Sequence, residues 1–164
     1  MKIFRGVTVL IAALAAVVAL APAAHASVTY FQFMNNQNPR RCLDVGGQVS
    51  GSVVQIFDCN GTVNQQWTMR PTDSGYFLLL VASSGRCLEV ANASQAAGSR
   101  IQILDCNGQF NQQWRQVPSS VAGFVHLQAR HSGRCASSFG RNGDRVPVLQ
   151  AACAEIGDQI WNIS

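Results

Sequence analysis

The stretch Asn64-Gln65-Gln66-Trp67 decides the fold, because it occurs three times at one fixed spacing. It returns as Asn111-Gln112-Gln113-Trp114 and, altered, as Asp158-Gln159-Ile160-Trp161, so that the three Trp residues are equally spaced along the chain. A constant period of this kind indicates one supersecondary unit, repeated, that buries its apolar face only against its neighbours. Three such units predict a closed object with pseudo-threefold symmetry.

Six Cys accompany the repeat, two in each unit, and one Cys stands at a constant distance before each Trp. Six Cys in a secreted chain predict disulfide bonds, for which fifteen connectivities exist. Pairing within units satisfies all three copies identically, and each closed loop contributes about 3 kcal/mol in the chain-entropy account. The predicted bonds are Cys42–Cys59, Cys87–Cys106 and Cys135–Cys153. Zinc is disfavoured because no Cys-x-x-Cys pair exists, so we expect no metal and no cofactor.

Residues 1–26 have the features of a secretory signal peptide. Lys2 and Arg5 supply a positive start, residues 7–21 form an apolar run, and small residues before Ser27 provide a cleavage site. The apolar run is shorter than the about 20 residues that a membrane-spanning helix needs, and a retained anchor is the alternative. We therefore expect cleavage after Ala26, a mature chain of residues 27–164, and an extracellular location.

The charge of the chain is modest, with twelve Lys and Arg against eight Asp and Glu. No basic stripe is present, which disfavours nucleic acid as a partner. After Ala26 no apolar stretch is long enough to insert into a membrane. His126 and His131 lie in no triad and in no metal motif, so we expect a protein that is not an enzyme.

Turn signals divide the mature chain into three units of about 46 residues. Pro71 and Pro118, each followed by a polar stretch, place the unit boundaries at 27–71, 72–118 and 119–164 within a single domain. In the second unit, short apolar or alternating runs predict strands at 76–82, 86–90, 100–104 and 113–117. Since no segment shows a sustained helical period, twelve strands in three groups predict an all-β, three-lobed barrel.

The recurring segments resemble the ricin B-type β-trefoil lectin family, whose mark is a threefold Gln-x-Trp repeat. The first unit carries Arg41-Cys42-Leu43-Asp44-Val45 and the motif ending at Trp67, and the second carries Arg86-Cys87-Leu88-Glu89-Val90 and the motif ending at Trp114. The resemblance covers essentially the whole mature chain. It implies a β-trefoil of three four-stranded repeats.

Asp44 is the candidate binding residue to which the sequence itself points. It follows Cys42 closely and faces the loop 46–52, to which the variable spacing between paired Cys is confined. A loop that varies on a rigid frame is typical of a pocket lip. A carboxylate can accept two hydroxyl hydrogen bonds at once, which suits adjacent hydroxyls of a pyranose. A solvated Asp at the end of a strand explains the residue equally well.

The resemblance assigns a full set of sugar-binding positions to the first unit. Asp44 would hold two sugar hydroxyls, Gln55 and Asn64 would add polar contacts, and Phe57 would stack on the apolar face of the sugar. An inward-packing strand residue is the alternative for Phe57. Gln65 is expected to bond nearby backbone first and to support the site second.

The other two units keep the framework but depart from the binding set. In the second unit Glu89 replaces the Asp and would push its carboxylate into the pocket, while Leu104 replaces the aromatic residue. A weak second site there would use Glu89, Gln102, Asn111 and Gln112. In the third unit the corresponding positions hold Ser137, Leu149, Ala151 and Asp158, so no site is expected. The persisting Trp67, Trp114 and Trp161 are predicted to be core residues with bonded indole N–H groups.

The leading hypothesis is a secreted, non-catalytic, monomeric lectin with its site in the first unit. The family implies galactose-type sugars or a polysaccharide such as xylan as ligands. The alternative is a protein-binding trefoil, such as a protease inhibitor or a toxin-associated subunit, with a vestigial sugar site. The complete set of binding positions in the first unit favours the lectin.

Overall fold

The computed structural model describes residues 28–164, so the predicted signal peptide at 1–26 lies outside the described residues. The first repeat holds strands β1 (Phe33–Asn35), β2 (Arg41–Val45), β3 (Val54–Asp58) and β4 (Trp67–Pro71). The second holds β5 (Phe77–Val81), β6 (Cys87–Val90), β7 (Ile101–Leu104) and β8 (Gln113–Pro118). The third holds β9 (Phe124–Ala129), β10 (Cys135–Ser137), β11 (Val146–Pro147), β12 (Leu149–Ala151) and β13 (Ile160–Ile163). Within 28–164 the helical content is two 3₁₀ turns, at Ala91–Ala93 and Phe110–Gln112, and no helix of these residues has the length and apolarity to span a membrane.

Six of the strands close into a barrel. β1 pairs with β13, β13 with β9, β9 with β8, β8 with β5 and β5 with β4, all antiparallel. A bridge between Phe31 and Trp67 joins β4 back to the segment before β1 and completes the ring. Each repeat adds one hairpin outside the ring, formed by β2–β3, β6–β7 and β10–β12. The predicted all-β trefoil is confirmed.

The strands of the second repeat agree with prediction to within one residue at each end. The count of twelve strands was wrong, since the described residues form thirteen. The additional strand is β11, which pairs with β3 of the first repeat and not within its own hairpin. β10 has only three residues, so the chain leaves the third hairpin at Ser138 and is free to pair elsewhere before β12 begins.

The three motif Trp residues fill the core, each with no exposed surface. Each indole N–H donates to a hairpin carbonyl of its own repeat, Trp67 to Leu43 at 3.1 Å and Trp114 to Leu88 at 2.9 Å. Trp161 donates to the carbonyl of Ala136 at 3.3 Å. An indole removes roughly 200 Å² from water, which stabilises the fold by up to about 5 kcal/mol. The predicted core role of the Trp residues is confirmed.

Disulfide bonds close the open end of each hairpin. Cys42–Cys59, Cys87–Cys106 and Cys135–Cys153 form as predicted, with Cα–Cα distances of 5.0, 5.1 and 5.0 Å. In the first repeat the bond ties the beginning of β2 to the residue after β3. Asp44 therefore lies toward the opposite end of a hairpin whose strands are covalently fixed.

Candidate functional site

A cleft of about 600 Å³ opens where the first hairpin meets the segment before Trp67. Four of the five residues predicted for the first-repeat site line it, namely Asp44, Gln55, Phe57 and Asn64. The fifth, Gln65, is fully buried and bonds to Asp44 from behind. The structure therefore brings the whole predicted set together.

Asp44 is held at the base of this cleft by two amide side chains. The antiparallel register places Asp44 opposite Gln55, whose Nε2 donates to Asp44 Oδ1 at 2.8 Å. Gln65 Nε2 donates to Asp44 Oδ2 at 3.3 Å. Each carboxylate oxygen carries two lone pairs, so each retains capacity for a further donor. The carboxylate is thus oriented in advance to accept two hydroxyl groups.

Burial raises the pKa of Asp44 above its ordinary value of 3.8. The hydrogen bonds from Gln55 and Gln65 and the positive charge of Arg145 act in the opposite direction, without reversing the shift. Desolvation disfavours the ionised form because a buried charge loses its water. A ligand whose hydroxyls donate to the carboxylate would restore part of that lost solvation.

Asn64 and Phe57 present one polar and one apolar contact to the cleft. Asn64 Oδ1 is buried and finds no hydrogen-bond partner within the described chain. A buried acceptor left unsatisfied costs about 1–3 kcal/mol, so a donor from a ligand would be favourable here. Phe57 is only half-buried, and the expected alternative of an inward-packing strand residue does not describe it.

Gln65 also fastens the loop that follows the disulfide. Its Nε2 donates to the carbonyl of Asp58 at 2.8 Å and its Oε1 accepts from the backbone N–H of Asn60 at 2.8 Å. Gln112 and Gln159 make the same pair of backbone contacts in the other repeats. The Gln of the repeated motif is therefore a framework residue in all three units, as expected, and it reaches an acidic side chain in two of them.

The corresponding carboxylate of the second repeat is already occupied. Glu89 accepts hydrogen bonds from Gln102 at 2.8 Å, Gln112 at 3.1 Å and Asn111 at 3.4 Å. The additional methylene carries the carboxylate as far as Asn111, a contact without counterpart between Asp44 and Asn64. Little acceptor capacity is left for a ligand, and Leu104 offers no aromatic face.

In the third repeat the chain itself fills the equivalent position. Asp158 Oδ2 accepts from Ser137 Oγ at 2.9 Å and from the backbone N–H of Gly140 at 2.8 Å. The residue that replaces the motif Asn therefore draws the segment after β10 inward. This geometry is consistent with the expectation that the third unit has no site.

The predicted set leaves out several residues of the cleft, among them Asn60, Thr62 and Arg145. Asn60 Oδ1 accepts from the N–H and the hydroxyl of Thr62, which shapes the lip beside Asn64. Both lie between the disulfide and the motif, so their position was a usable signal. Arg145 comes from the third repeat, and no local pattern could link it to a site in the first.

A second cleft, of about 740 Å³, adjoins the first at Asn60. Arg41 lies in it and pairs with Asp58 at 2.7 Å and with Asp144. Its lining has no aromatic residue, so it offers nothing on which a sugar ring could stack. The cleft at Asp44 is therefore the better candidate, although it is smaller.

Among residues 28–164, no group of three or more His, Cys, Asp or Glu side chains is placed to hold a metal ion. His126 is buried, with Nε2 3.0 Å from Glu155 Oε1 and Nδ1 3.2 Å from the carbonyl oxygen of Gln159. Both nitrogens are engaged in packing contacts of the third repeat.

The closed ring, the three hairpins and the cleft at Asp44 define a β-trefoil of the lectin class. The chain belongs to the ricin-type beta-trefoil lectin domain family, whose model matches residues 29–161. Membership of this lectin family supports carbohydrate binding. The family resemblance inferred from the repeated motif is thereby confirmed.

Solved structures agree with this assignment. The designed 3-fold symmetric protein ThreeFoil is 30% identical, with a TM-score of 0.79, and the match covers 82% of this chain and 96% of that one. An exo-beta-1,3-galactanase from Clostridium thermocellum matches 84% of this chain and 30% of its own, with 24% identity and a TM-score of 0.79. A Polyporus squamosus lectin matches 85% of this chain and 50% of its own, with 15% identity and a TM-score of 0.72. The last two show the fold alone, and this chain spans only a part of each.

Proposed function

We propose that this chain is a secreted, non-catalytic carbohydrate-binding protein whose principal site is the cleft of the first repeat. The observation that carries the proposal is the meeting of a buried carboxylate, planar amides and a half-buried aromatic ring in one cleft of about 600 Å³. Sugar-binding sites need this combination, because a pyranose has a polar rim and an apolar face. Family membership supports the same class of ligand.

The mechanism is equilibrium recognition of a pyranose ring. Asp44 accepts two adjacent hydroxyls, and such charge-assisted bonds are stronger than neutral ones. Gln55 and Asn64 bond to further hydroxyls, and Asn64 Oδ1, which accepts from no group of the described chain, takes one of these donors. Phe57 stacks on the C–H face of the ring, and Gln65 keeps Asp44 in place.

Galactose-type sugars and xylan-like polysaccharides are the proposed ligand classes. One structural relative is an exo-beta-1,3-galactanase and another is a lectin bound to a galactose-containing epitope. Galactose-type sugars are therefore among the ligands to be tested. A single shallow site of this kind binds with an affinity on the order of millimolar, or about −4 kcal/mol. We propose that the weak second-repeat site adds little, since Glu89 already accepts three hydrogen bonds.

The test compares Asp44→Asn with Glu89→Gln, its matched control at the same position of the second repeat. Oxidised protein comprising residues 27–164 is applied to a glycan and polysaccharide array, and folding is checked by circular dichroism. Asp44→Asn should lose at least about tenfold in affinity, because a hydrogen bond to a charged group contributes about 1.5–3 kcal/mol. Glu89→Gln should bind like the parent protein.

The opposite pattern, loss in Glu89→Gln and binding in Asp44→Asn, would place the site in the second repeat. Absence of any glycan binding by folded protein would contradict the lectin function. It would favour the protein-binding trefoil, in which the cleft at Asp44 is vestigial.

A further inference from the structure

The segment between β10 and β11 lies against the first repeat, where two sets of contacts fix it. Arg41 Nε donates to the carbonyl of Asn142 at 3.1 Å, and the Arg41 guanidinium pairs with Asp144. Asp144 Oδ1 also accepts from the backbone N–H of Asp58 at 3.2 Å. On the other side of Arg145, β11 is paired with β3. Arg145 is therefore held between two anchors on the first hairpin.

These anchors place Arg145 at the rim of the cleft. Its guanidinium carbon lies 5.9 Å from the centroid of the Phe57 ring. Its positive charge acts on Asp44, where it opposes the rise in pKa that burial causes. The backbone φ of Arg145 is +57°, a left-handed conformation that a residue with a side chain seldom adopts. Such a conformation persists only where the surroundings impose it, and it often marks a functional position.

The charges of the cleft leave Arg145 without an ionic partner. Asp44 and Arg145 are the only charged residues in its lining. Asp44 is bonded to amides below, and within residues 28–164 no carboxylate lies within salt-bridge distance of Arg145. The five donors of an exposed guanidinium form a planar fork that matches a carboxylate.

We infer that Arg145, supplied by the third repeat, makes the first-repeat cleft selective for sugars that carry a carboxylate, such as uronic acids. The inference rests on the proposed function and names the ligand class of that same site. The ligand carboxylate receives two parallel N–H···O bonds from Arg145, while its hydroxyls bind Asp44 and its ring faces Phe57. Arg145 also offsets the repulsion between an anionic ligand and Asp44.

The third repeat thereby gains a role despite having no pocket of its own. Its segment after β10 is drawn inward by Asp158 at one end. Farther along, the same segment crosses to the first hairpin and delivers Arg145. The site is a composite of two repeats, which motif matching within single repeats does not detect.

The test uses three ligands that differ only at C6, namely methyl galacturonoside, its uncharged methyl ester, and methyl galactoside. Xylo-oligosaccharides with and without a glucuronate branch extend the comparison to the second ligand class. Binding to the parent protein, Arg145→Gln and Arg145→Lys is measured by NMR titration at neutral pH. Arg141→Gln is the matched control, since Arg141 lies on the same segment but does not line the cleft.

The parent protein should bind the uronate roughly fivefold more tightly than the ester, as expected for a solvent-exposed ion pair. Arg145→Gln should abolish this preference, weakening the binding of the uronate much more than the binding of the ester. Arg145→Lys should retain part of the preference, Arg141→Gln all of it, and high salt should weaken it.

Two results would overturn the inference while leaving the lectin function intact. One is a parent protein that binds the uronate and the ester equally, or an Arg145→Gln variant that keeps the full preference of the parent for the uronate. The other is an equal loss for charged and neutral ligands in Arg145→Gln, which would make Arg145 a hydroxyl contact. Failure of the proposed function has a different signature, because binding of the neutral sugars would then be absent or insensitive to Asp44→Asn.

Discussion

At Asp44, burial and the proposed binding of sugar hydroxyls act on the carboxylate in opposite directions. Burial favours the protonated form and raises its pKa, whereas hydroxyl donors favour the ionised form. The ionised carboxylate is therefore a cost to the free protein, which a sugar bound as proposed would offset. Residues that lower stability for the sake of binding are a recurrent feature of functional sites.

The affinity for sugar should fall as the pH is lowered through the raised pKa of Asp44, beginning above pH 3.8. Protonation removes the charge and turns one acceptor site into a donor. Isothermal titration calorimetry across the acid range measures the decline, and Asp44→Asn should bind weakly with little pH dependence. An affinity that is constant across this range in the parent protein would contradict the assigned role.

The same shift gives a prediction for stability. Because the folded-state pKa of Asp44 is raised, its contribution to stability decreases as the pH rises from below the unfolded value through the folded one. Asp44→Asn should consequently be no less stable than the parent at neutral pH, although it binds less well. Thermal unfolding at neutral pH checks this, and a marked loss of stability would assign Asp44 a structural role instead.

Glu155 has the opposite shift and should stabilise the fold at neutral pH. The hydrogen bond with His126, and then those from the N–H and hydroxyl of Ser120, lower its pKa from 4.5 to about 2. Its contribution is fully present above the unfolded value and is lost as the pH falls through about 2. Glu155→Gln should therefore melt below the parent at neutral pH, and the two should converge below pH 2. A melting difference that is the same at both pH values would show that ionisation of Glu155 is not its source.

At the scale of elements, the disulfides of the first and second hairpins should contribute equally to stability but unequally to sugar binding. Removing the second-repeat bond with Cys87→Ala and Cys106→Ala should lower the free energy of unfolding by about 3 kcal/mol. Sugar binding by the folded variant should persist, because that hairpin carries no proposed principal site. Removing Cys42 and Cys59 should cost a similar amount and also weaken binding, since Cys59 adjoins the lip at Asn60. Denaturant unfolding and glycan binding are measured for both variants. Equal affinities for the glycan would show that the first disulfide does not support the site.

The strands of the second repeat could be predicted because turns and alternation are local signals. β11 could not, since its partner β3 lies in another repeat and the pairing depends on where β10 stops. The residues of the first-repeat cleft divide in the same way into those with a local signal and those without one. Asp44, Gln55, Phe57 and Asn64 lie near the Cys and Trp residues of their own repeat and follow from the family resemblance, whereas Arg145 reaches the cleft only through the pairing of β11 with β3.

At the scale of the whole molecule, one principal site per trefoil should limit the protein to monovalent binding. Calorimetry with a short oligosaccharide should give about one ligand per chain, and the protein should not agglutinate sugar-bearing particles, because cross-linking requires at least two sites. Sedimentation at the same concentration identifies the monomer that we propose. Agglutination by a monomer would mean that the cleft at Glu89 also binds.

The overall architecture was the most predictable property, because three equal motifs leave few arrangements that bury three Trp residues. The sequence also showed that the three repeats differ in their binding positions, because other residues replace Asp44 and Phe57 in the second and third repeats. What could not be predicted is how those replacements are accommodated. The bonds of Glu89 to Asn111 and of Asp158 to Gly140 arise from side-chain reach and loop course.

The pairing of β1 with β13 has a consequence for biosynthesis. Met34 lies opposite Asn162, so the earliest barrel strand to be translated must wait for the last one. The first hairpin and its disulfide can form as soon as residue 59 has emerged, but one edge of β1 stays unpaired until translation is almost complete. Such distant pairings form slowly, and an unpaired edge invites association with other chains. Slow or interrupted translation of the third repeat would therefore prolong the interval in which the nascent chain is prone to aggregate.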